Sequence, residues 1–215
     1  MENLFLHYMN ERRKRQESNI KREPGPVITI SREYGCYGSE IADLLAKKIN
    51  ETISHKEDHW IYISHQVLHD ASKALDVDPS EISHVFGAEE KGIIDEMFSI
   101  FSKDRYLSDN QIKRILAQIV RSYAEQGNTI IVGRAGCVVA RHIQKAIHVR
   151  LMAPFCWRVN QIKMRFGIST HDATAKVKET DKRRETFMKF YRGDKPESEL
   201  FDMILNRSTM TTTKL

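Results

Sequence analysis

The stretch Val27-Ile28-Thr29-Ile30-Ser31-Arg32-Glu33-Tyr34-Gly35-Cys36-Tyr37-Gly38-Ser39-Glu40-Ile41-Ala42 decides the fold. Pro24-Gly25-Pro26 breaks any preceding helix, and Val27 to Ser31 is then a short β-branched, apolar run of the kind buried in parallel sheets. Gly35 and Gly38 follow. From Glu40 to Ile49 apolar residues recur at helical spacing, with an acid in the first turn and Lys47 and Lys48 in the last. The reading is strand, glycine turn, helix. A phosphate-binding loop needs such a turn: glycines let backbone N–H groups face an anion, a helix N-terminus favours negative charge, and a hydroxyl can reach a divalent cation. Gly35, Gly38 and Ser39 supply these parts, although a glycine turn without a ligand satisfies the same local pattern.

Working outward, Trp60 to Ile63 reads as a second strand. Asp109 to Glu125 reads as a long helix with Ile112, Ile115, Leu116, Ile119, Val120 and Tyr123 on one face, capped by Gly127. Thr129 to Val132 and Ala146 to Leu151 give two further strands separated by a helix-length stretch, and Asp202 to Leu205 gives a fifth. Strands alternating with helices predict an α/β, doubly wound parallel sheet of about five strands with helices on both faces. Ligands of such sheets sit at the carboxyl ends of the strands. Two segments fall outside the alternation, the helical Gln66 to Phe101 and the highly charged Arg158 to Arg192.

The 215 residues carry 34 Lys+Arg against 29 Asp+Glu, a net charge of +5, with 40% hydrophobic residues. A core large enough to need neither disulfides nor a structural metal is expected. No apolar run approaches the ~18 residues that span a bilayer, and the N-terminus lacks signal-peptide features, so the expectation is a cytoplasmic protein without membrane partners. Cys36, Cys137 and Cys156 are odd in number and form no CxxC, and they read as reduced thiols. The arm 1–25 holds six Lys/Arg interleaved with four Glu, a pattern poorer in net charge than a nucleic-acid arm needs. A solvated helix or frayed tail is expected there.

The usual G-x-x-x-x-G-K-[ST] pattern is not met, since Gly38 stands where the lysine belongs and Arg32 where the first glycine belongs. Even so, Ile28 to Gly35 with Gly38 and Glu40-Ile41-Ala42 resembles the opening of the cytidylate-kinase-like family, a branch of the P-loop nucleoside-monophosphate kinases. Ile130-Ile131-Val132-Gly133-Arg134-Ala135-Gly136 resembles that family's strand-end Gly-Arg motif. His148 to Pro154 resembles the strand leading into its lid, and Arg158, Arg165, Asp181-Lys182-Arg183-Arg184, Tyr191 and Asn206 continue in order. The resemblance implies a kinase-like domain over 26–215, with an acceptor-side helical region at 60–108 and a lid region at 155–192.

It further implies transfer of the γ-phosphoryl group of ATP, with Mg²⁺, to a nucleoside monophosphate such as CMP or dCMP. Ser31, Gly35, Cys36, Tyr37, Gly38 and Ser39 would cradle the ATP phosphates, with the Ser39 hydroxyl on magnesium. Arg134, Arg158, Arg165 and Arg184 would neutralise phosphate charge, and Asp181 would orient Arg184 or the magnesium water shell. Arg32 is the expected substitute for the missing lysine, folded back over the loop. Ile63, where the family usually has Asp, bears on acceptor identity. A nucleotide-binding regulatory module with weak or no kinase activity is the alternative. The apolar residues Ile82, Val85, Phe86, Ile93, Met97 and Phe101 serve either core packing or a homodimer face. His55/His59 and His65/His69 have i,i+4 spacing but no evident third metal ligand. Cys36, beside a helix N-terminus, is either an acidified thiol or a small residue suited to a tight turn.

Overall fold

The computed structural model describes residues 25–55, 58–64, 66–75 and 109–210. Residues 1–24 of the arm, and the 76–108 stretch with its candidate dimer-face residues, lie outside the described residues. Strand β1 (Val27–Arg32) leads through the glycine turn into α1 (Gly38–Thr52). The chain continues through β2 (Ile61–Ile63) and α2 (Gln66–Leu75), then α3 (Asp109–Gln126), β3 (Thr129–Val132) and the single-turn α4 (Gly136–Val139). After β4 (Ala146–Met152) come α5 (Phe155–Phe166), α6 (Thr170–Arg192), a 3₁₀ turn at Glu197–Glu199 and β5 (Met203–Asn206).

The five strands form one parallel sheet in the order β2-β3-β1-β4-β5. β1 lies at its centre, with Ile30 beside Val132 on one side and Val149 on the other. Both faces are covered, which is why β3 reads as an unbroken apolar run: all four of its residues are buried. Ile130 and Val132 join Ile30 and Leu151 against Ile41, Ala42 and Ala46 of α1. Ile131 and Val27 face the other way, onto α2, α3 and α4, where Val67, Ile112, Leu116, Ile119 and Val120 complete the larger core. Each such aliphatic side chain contributes about 1.5–3 kcal/mol by leaving water. Thr29, polar but 1% exposed on that face, hydrogen-bonds His148 Nδ1 at 2.8 Å.

The predicted fold class and the five strands stand, with ends shifted by one residue. The helix-length stretch expected between β3 and β4 spans residues 133–145, and its helix is the single turn α4. Gly133, Arg134 and Ala135 all adopt left-handed backbone angles, with φ of 71°, 53° and 53°. Three successive residues are thereby spent on a turn before the four-residue α4, and further turns follow it up to β4. The charged stretch resolves into a hairpin of two helices, α5 and α6, parted at Gly167 and with α6 capped by Ser169, whose hydroxyl accepts the Asp172 N–H at 3.0 Å.

Gly127 closes α3 as expected, its N–H donating to the Ala124 carbonyl at 3.1 Å with φ of 72°. It also touches Gly25: a Cβ at Gly127 would stand 2.2 Å from the Gly25 nitrogen. Left-handed strain and this backbone collision act together, so Gly127→Ala is expected to lower stability by about 2–4 kcal/mol, read as a reduced urea midpoint at constant slope.

Candidate functional site

The turn between β1 and α1 begins as an extension of the sheet, with Glu33 N–H donating to the Leu151 carbonyl at 3.0 Å. It then closes through Cys36 N–H to the Glu33 carbonyl, 3.2 Å. Tyr37 follows in left-handed conformation, φ 54°, at the N-cap of α1. The first helical bonds run from Glu40 and Ile41 to the Tyr37 carbonyl, at 3.1 and 3.2 Å. The N–H groups of Gly38 and Ser39 precede them and belong to the unpaired first turn of a helix, where the dipole is positive.

Beside this turn, at the carboxyl ends of the strands, lies a cavity of about 620 Å³. Ser31 and Arg32 of β1, Ser64 after β2, Gly133-Arg134-Ala135 after β3 and Arg150 of β4 border it, with Tyr34, Gly35, Tyr37, Gly38 and Ser39 from the turn itself. The α5–α6 hairpin closes the far side through Arg165, Lys176, Asp181 and Arg184. Residues 155–192 hold ten Lys/Arg against four Asp/Glu, a local charge of +6, so this hairpin carries the whole basic excess of the chain. A concave site with this charge at a strand-end position suits a polyanion.

The arginines divide by partner. Arg158 is not among the described residues that line the cavity. Its side chain is 7% exposed, with Nε 3.2 Å from Glu33 and 3.1 Å from the Ala153 carbonyl. One terminal nitrogen bonds Asp181 at 2.5 Å and the Tyr34 carbonyl at 3.2 Å. Arg158, expected to neutralise phosphate charge, here ties the turn to the hairpin through two carboxylates, Glu33 and Asp181. Asp181, expected to orient Arg184 or magnesium water, spends its second oxygen on the Tyr34 N–H at 2.8 Å. Arg184 lies on the same face of α6 as Asp181, and it donates to the Arg32 carbonyl at 3.1 Å while covering the Tyr34 ring. Arg165 is half exposed, paired with Glu40 at 2.5 Å and stacked 4.7 Å over the Tyr37 ring, whose hydroxyl donates to the Gln161 carbonyl. Arg134 points its Nε toward the Ser64 carbonyl at 3.5 Å.

Arg32 crosses the loop. Its stem passes Gly38, where a Cβ would lie 3.1 Å from Arg32 Cγ, and its guanidinium rests on Gly133, where a Cβ would lie 1.9 Å from a terminal nitrogen. The Ser39 hydroxyl, in the first turn of α1, is 3.3 Å from that of Ser64. Among the described residues no three His, Cys, Asp or Glu side chains cluster as metal ligands. This donor set fits Mg²⁺ held chiefly by phosphate oxygens and water, with a single protein hydroxyl.

Sequence reasoning assigned no role to Glu33, Tyr34, Ser64, Arg150 or Lys176. Arg150 interrupts an apolar strand at its carboxyl end, and Lys176 stands two turns before Arg184; both spacings were readable signals. Ile63, 2% exposed in the apolar core, has its side chain away from the cavity, and the strand-end polar group is Ser64.

Cys36 is a buried packing residue. Burial first, then the Glu33 charge, pushes its thiol up to about 11, which overrides the helix N-terminus. Cys137 is buried and raised likewise by desolvation, whereas Cys156 is exposed. Because a raised pKa leaves the thiol protonated at all pH values below about 11, iodoacetamide at pH 8 is expected to label Cys156 alone in the folded chain, and all three thiols after denaturation, as read by peptide mass.

Among solved structures, an uncharacterized protein from Eubacterium ventriosum shares this fold at TM-score 0.58 and 18% identity, covering 87% of this chain and 93% of its own. Shikimate kinase from Bacteroides thetaiotaomicron aligns at TM-score 0.46 and 11% identity over 85% of this chain and 86% of its own. The protein TT1252 from Thermus thermophilus aligns at 0.41 and 14% over 85% and 88%. None of the curated proteins matches the sequence. No described helix is long and apolar enough to cross a membrane. The model of the cytidylate kinase-like family matches residues 27–209, from the first residue of β1 to just past β5, and the chain belongs to that family.

Proposed function

We propose that this chain transfers the γ-phosphoryl group of ATP to a nucleoside monophosphate, with cytidylate (CMP or dCMP) as acceptor. The observation that carries the reading is the cavity where Gly38 and Ser39, at the start of α1, share a border with Arg32, Arg134 and Arg184, cations drawn from three distant segments. Family membership supports the nucleotide class.

In the reaction a 5′-phosphate oxygen of the acceptor forms a bond to the γ-phosphorus as the bond to the β–γ bridging oxygen breaks, leaving ADP and a nucleoside diphosphate. Charge on the transferred group spreads over three oxygens, so positioned cations supply most of the catalysis. The amides of Gly38 and Ser39 would hold donor phosphate. Arg32, lying across the loop to Gly133, would take the role of the lysine, and Arg134 and Arg184 would face the transferred and acceptor phosphates. Ser39 would hold Mg²⁺ together with phosphate oxygens, and the ion would supply charge neutralisation for the phosphates. Arg165, held by Glu40 on the Tyr37 ring, would border the donor end. The domain limits follow the same reading: a kinase-like unit over 26–215, with 60–108 on the acceptor side.

The decisive measurement incubates the chain with Mg-ATP and a panel of nucleoside monophosphates, with nucleotide binding measured separately. CMP or dCMP is expected to be converted fastest; ATP binding with no conversion of any monophosphate would select a nucleotide-binding module, and neither binding nor conversion would end the proposal. Arg32→Ala is expected to lower turnover by about 10²–10³. Gly133→Ala, which displaces the Arg32 guanidinium, should lower it in the same direction, and the double variant should be no slower than Arg32→Ala alone, since both act through one group.

A further inference from the structure

Tyr34 is the residue at which the loop and the α5–α6 hairpin are joined. Its ring, 5% exposed, completes an apolar cluster whose other buried members, Val159, Ile162, Ala173 and Val177, all come from that hairpin. Both of its backbone polar groups are taken by hairpin side chains: the N–H by Asp181 at 2.8 Å, the carbonyl by Arg158 at 3.2 Å. Asp181 and Arg158 bond each other at 2.5 Å, so the contacts close into a ring around a single loop residue. On one side of it the Arg32 carbonyl is held by Arg184. On the other, Gly35 has φ of 91° and lies so close to α5 that a Cβ would stand 3.1 Å from the Arg158 Cβ.

The geometry points to Asp181 and Tyr34 as positioning residues through which the hairpin sets the shape of the phosphate loop. Through this seam, loop and hairpin order as one unit. A loop that must present amides to an anion gains from having its backbone angles fixed before the anion arrives. A hairpin that swung free of the loop would strip Tyr34 of two hydrogen bonds and leave the Arg158 charge short of a partner in the interior. The inference rests on the proposed phosphate-binding role of the loop for its binding readout alone; the ordering of the loop is measured independently.

The test compares hydrogen exchange over residues 33–38 in the full chain with that in Asp181→Ala, Asp181→Asn and, as a control on the same helix, Glu179→Ala. Affinity for inorganic tripolyphosphate is measured by calorimetry alongside. Asp181→Ala is expected to speed exchange over 33–38 at least tenfold while β3 and α3 keep their protection, and to weaken tripolyphosphate binding at least tenfold. Asp181→Asn keeps an oxygen for the Tyr34 N–H but loses the charge opposite Arg158, and should speed exchange about threefold. Glu179→Ala should match wild type. Unchanged exchange over 33–38 in a folded Asp181→Ala, or in Asp181→Asn if the alanine variant does not fold, overturns the inference, as does an equal effect of Glu179→Ala. A wild-type chain that ignores tripolyphosphate refutes the phosphate role of the loop, and the exchange comparison still decides this inference.

Discussion

A guanidinium withdrawn from water governs the architecture of this site. Arg158 sits in the interior with Glu33 and Asp181 on its nitrogens, and the same two nitrogens also donate to the carbonyls of Ala153 and Tyr34. Burying an ion costs several kcal/mol, and the cost is offset only where geometry and hydrogen bonding are both good. That requirement brings the end of β1, the junction of β4 with α5, and the middle of α6 to one point. Glu33 extends the constraint, since the carboxylate oxygen that meets Arg158 also accepts the Ala153 N–H at 3.0 Å. The turn that would cradle phosphate therefore inherits its position from three elements at once.

Around this fixed point the remaining cations are held less deeply and border the cavity. Arg165 and Arg184 each rest on an aromatic ring of the loop, Tyr37 and Tyr34 respectively, which orients a guanidinium without burying it. Arg165 is further fixed by Glu40 at the start of α1. Arg150, on β4, pairs with Glu197 beyond α6. Each of these groups keeps its charge at the cavity and loses rotational freedom to a neighbour, the condition under which a positioned cation acts on developing charge more strongly than one in bulk water. The +6 of the hairpin thus serves two purposes that composition cannot separate: Arg158 holds the scaffold, while Arg165, Lys176 and Arg184 face the space that a ligand would fill.

The sheet was legible because its signal is local. β3 is apolar at every position, α1 and α3 repeat apolar residues at helical spacing, and Gly127 stops α3 where a left-handed residue is needed. The short α4 was not legible, because Arg134 and Ala135 carry no mark of the left-handed backbone they adopt; glycine would have signalled it, and only Gly133 does. The division of labour among the arginines was equally hidden. Arg158 and Arg165 lie seven residues apart on one helix, and what distinguishes them is a carboxylate at position 33 for one and at position 40 for the other, more than a hundred residues away in sequence. Cys36 shows the same limit: its place at a helix N-terminus left an acidified thiol and a small turn residue both open, and burial, a tertiary fact, pushes the thiol up.

Glycine at position 38 and the arginine at the end of β1 are sterically linked. A side chain at position 38 would start 3.1 Å from the Arg32 Cγ and 3.3 Å from its Cδ, with the stem of Arg32 across its path. Contacts that tight force one of the two chains to move. Lysine at 38 and arginine at 32, in the position it holds here, thus compete for the same space over the loop. Glycine at 133 extends the logic, since the guanidinium of Arg32 ends against it and any side chain there would push it off the end of β3. Arg32, Gly38 and Gly133 form a set in which one long cation lies against two positions without side chains. Where the usual loop pattern has a lysine at the helix start, this chain has the side chain of Arg32, from the end of the neighbouring strand, lying over Gly38.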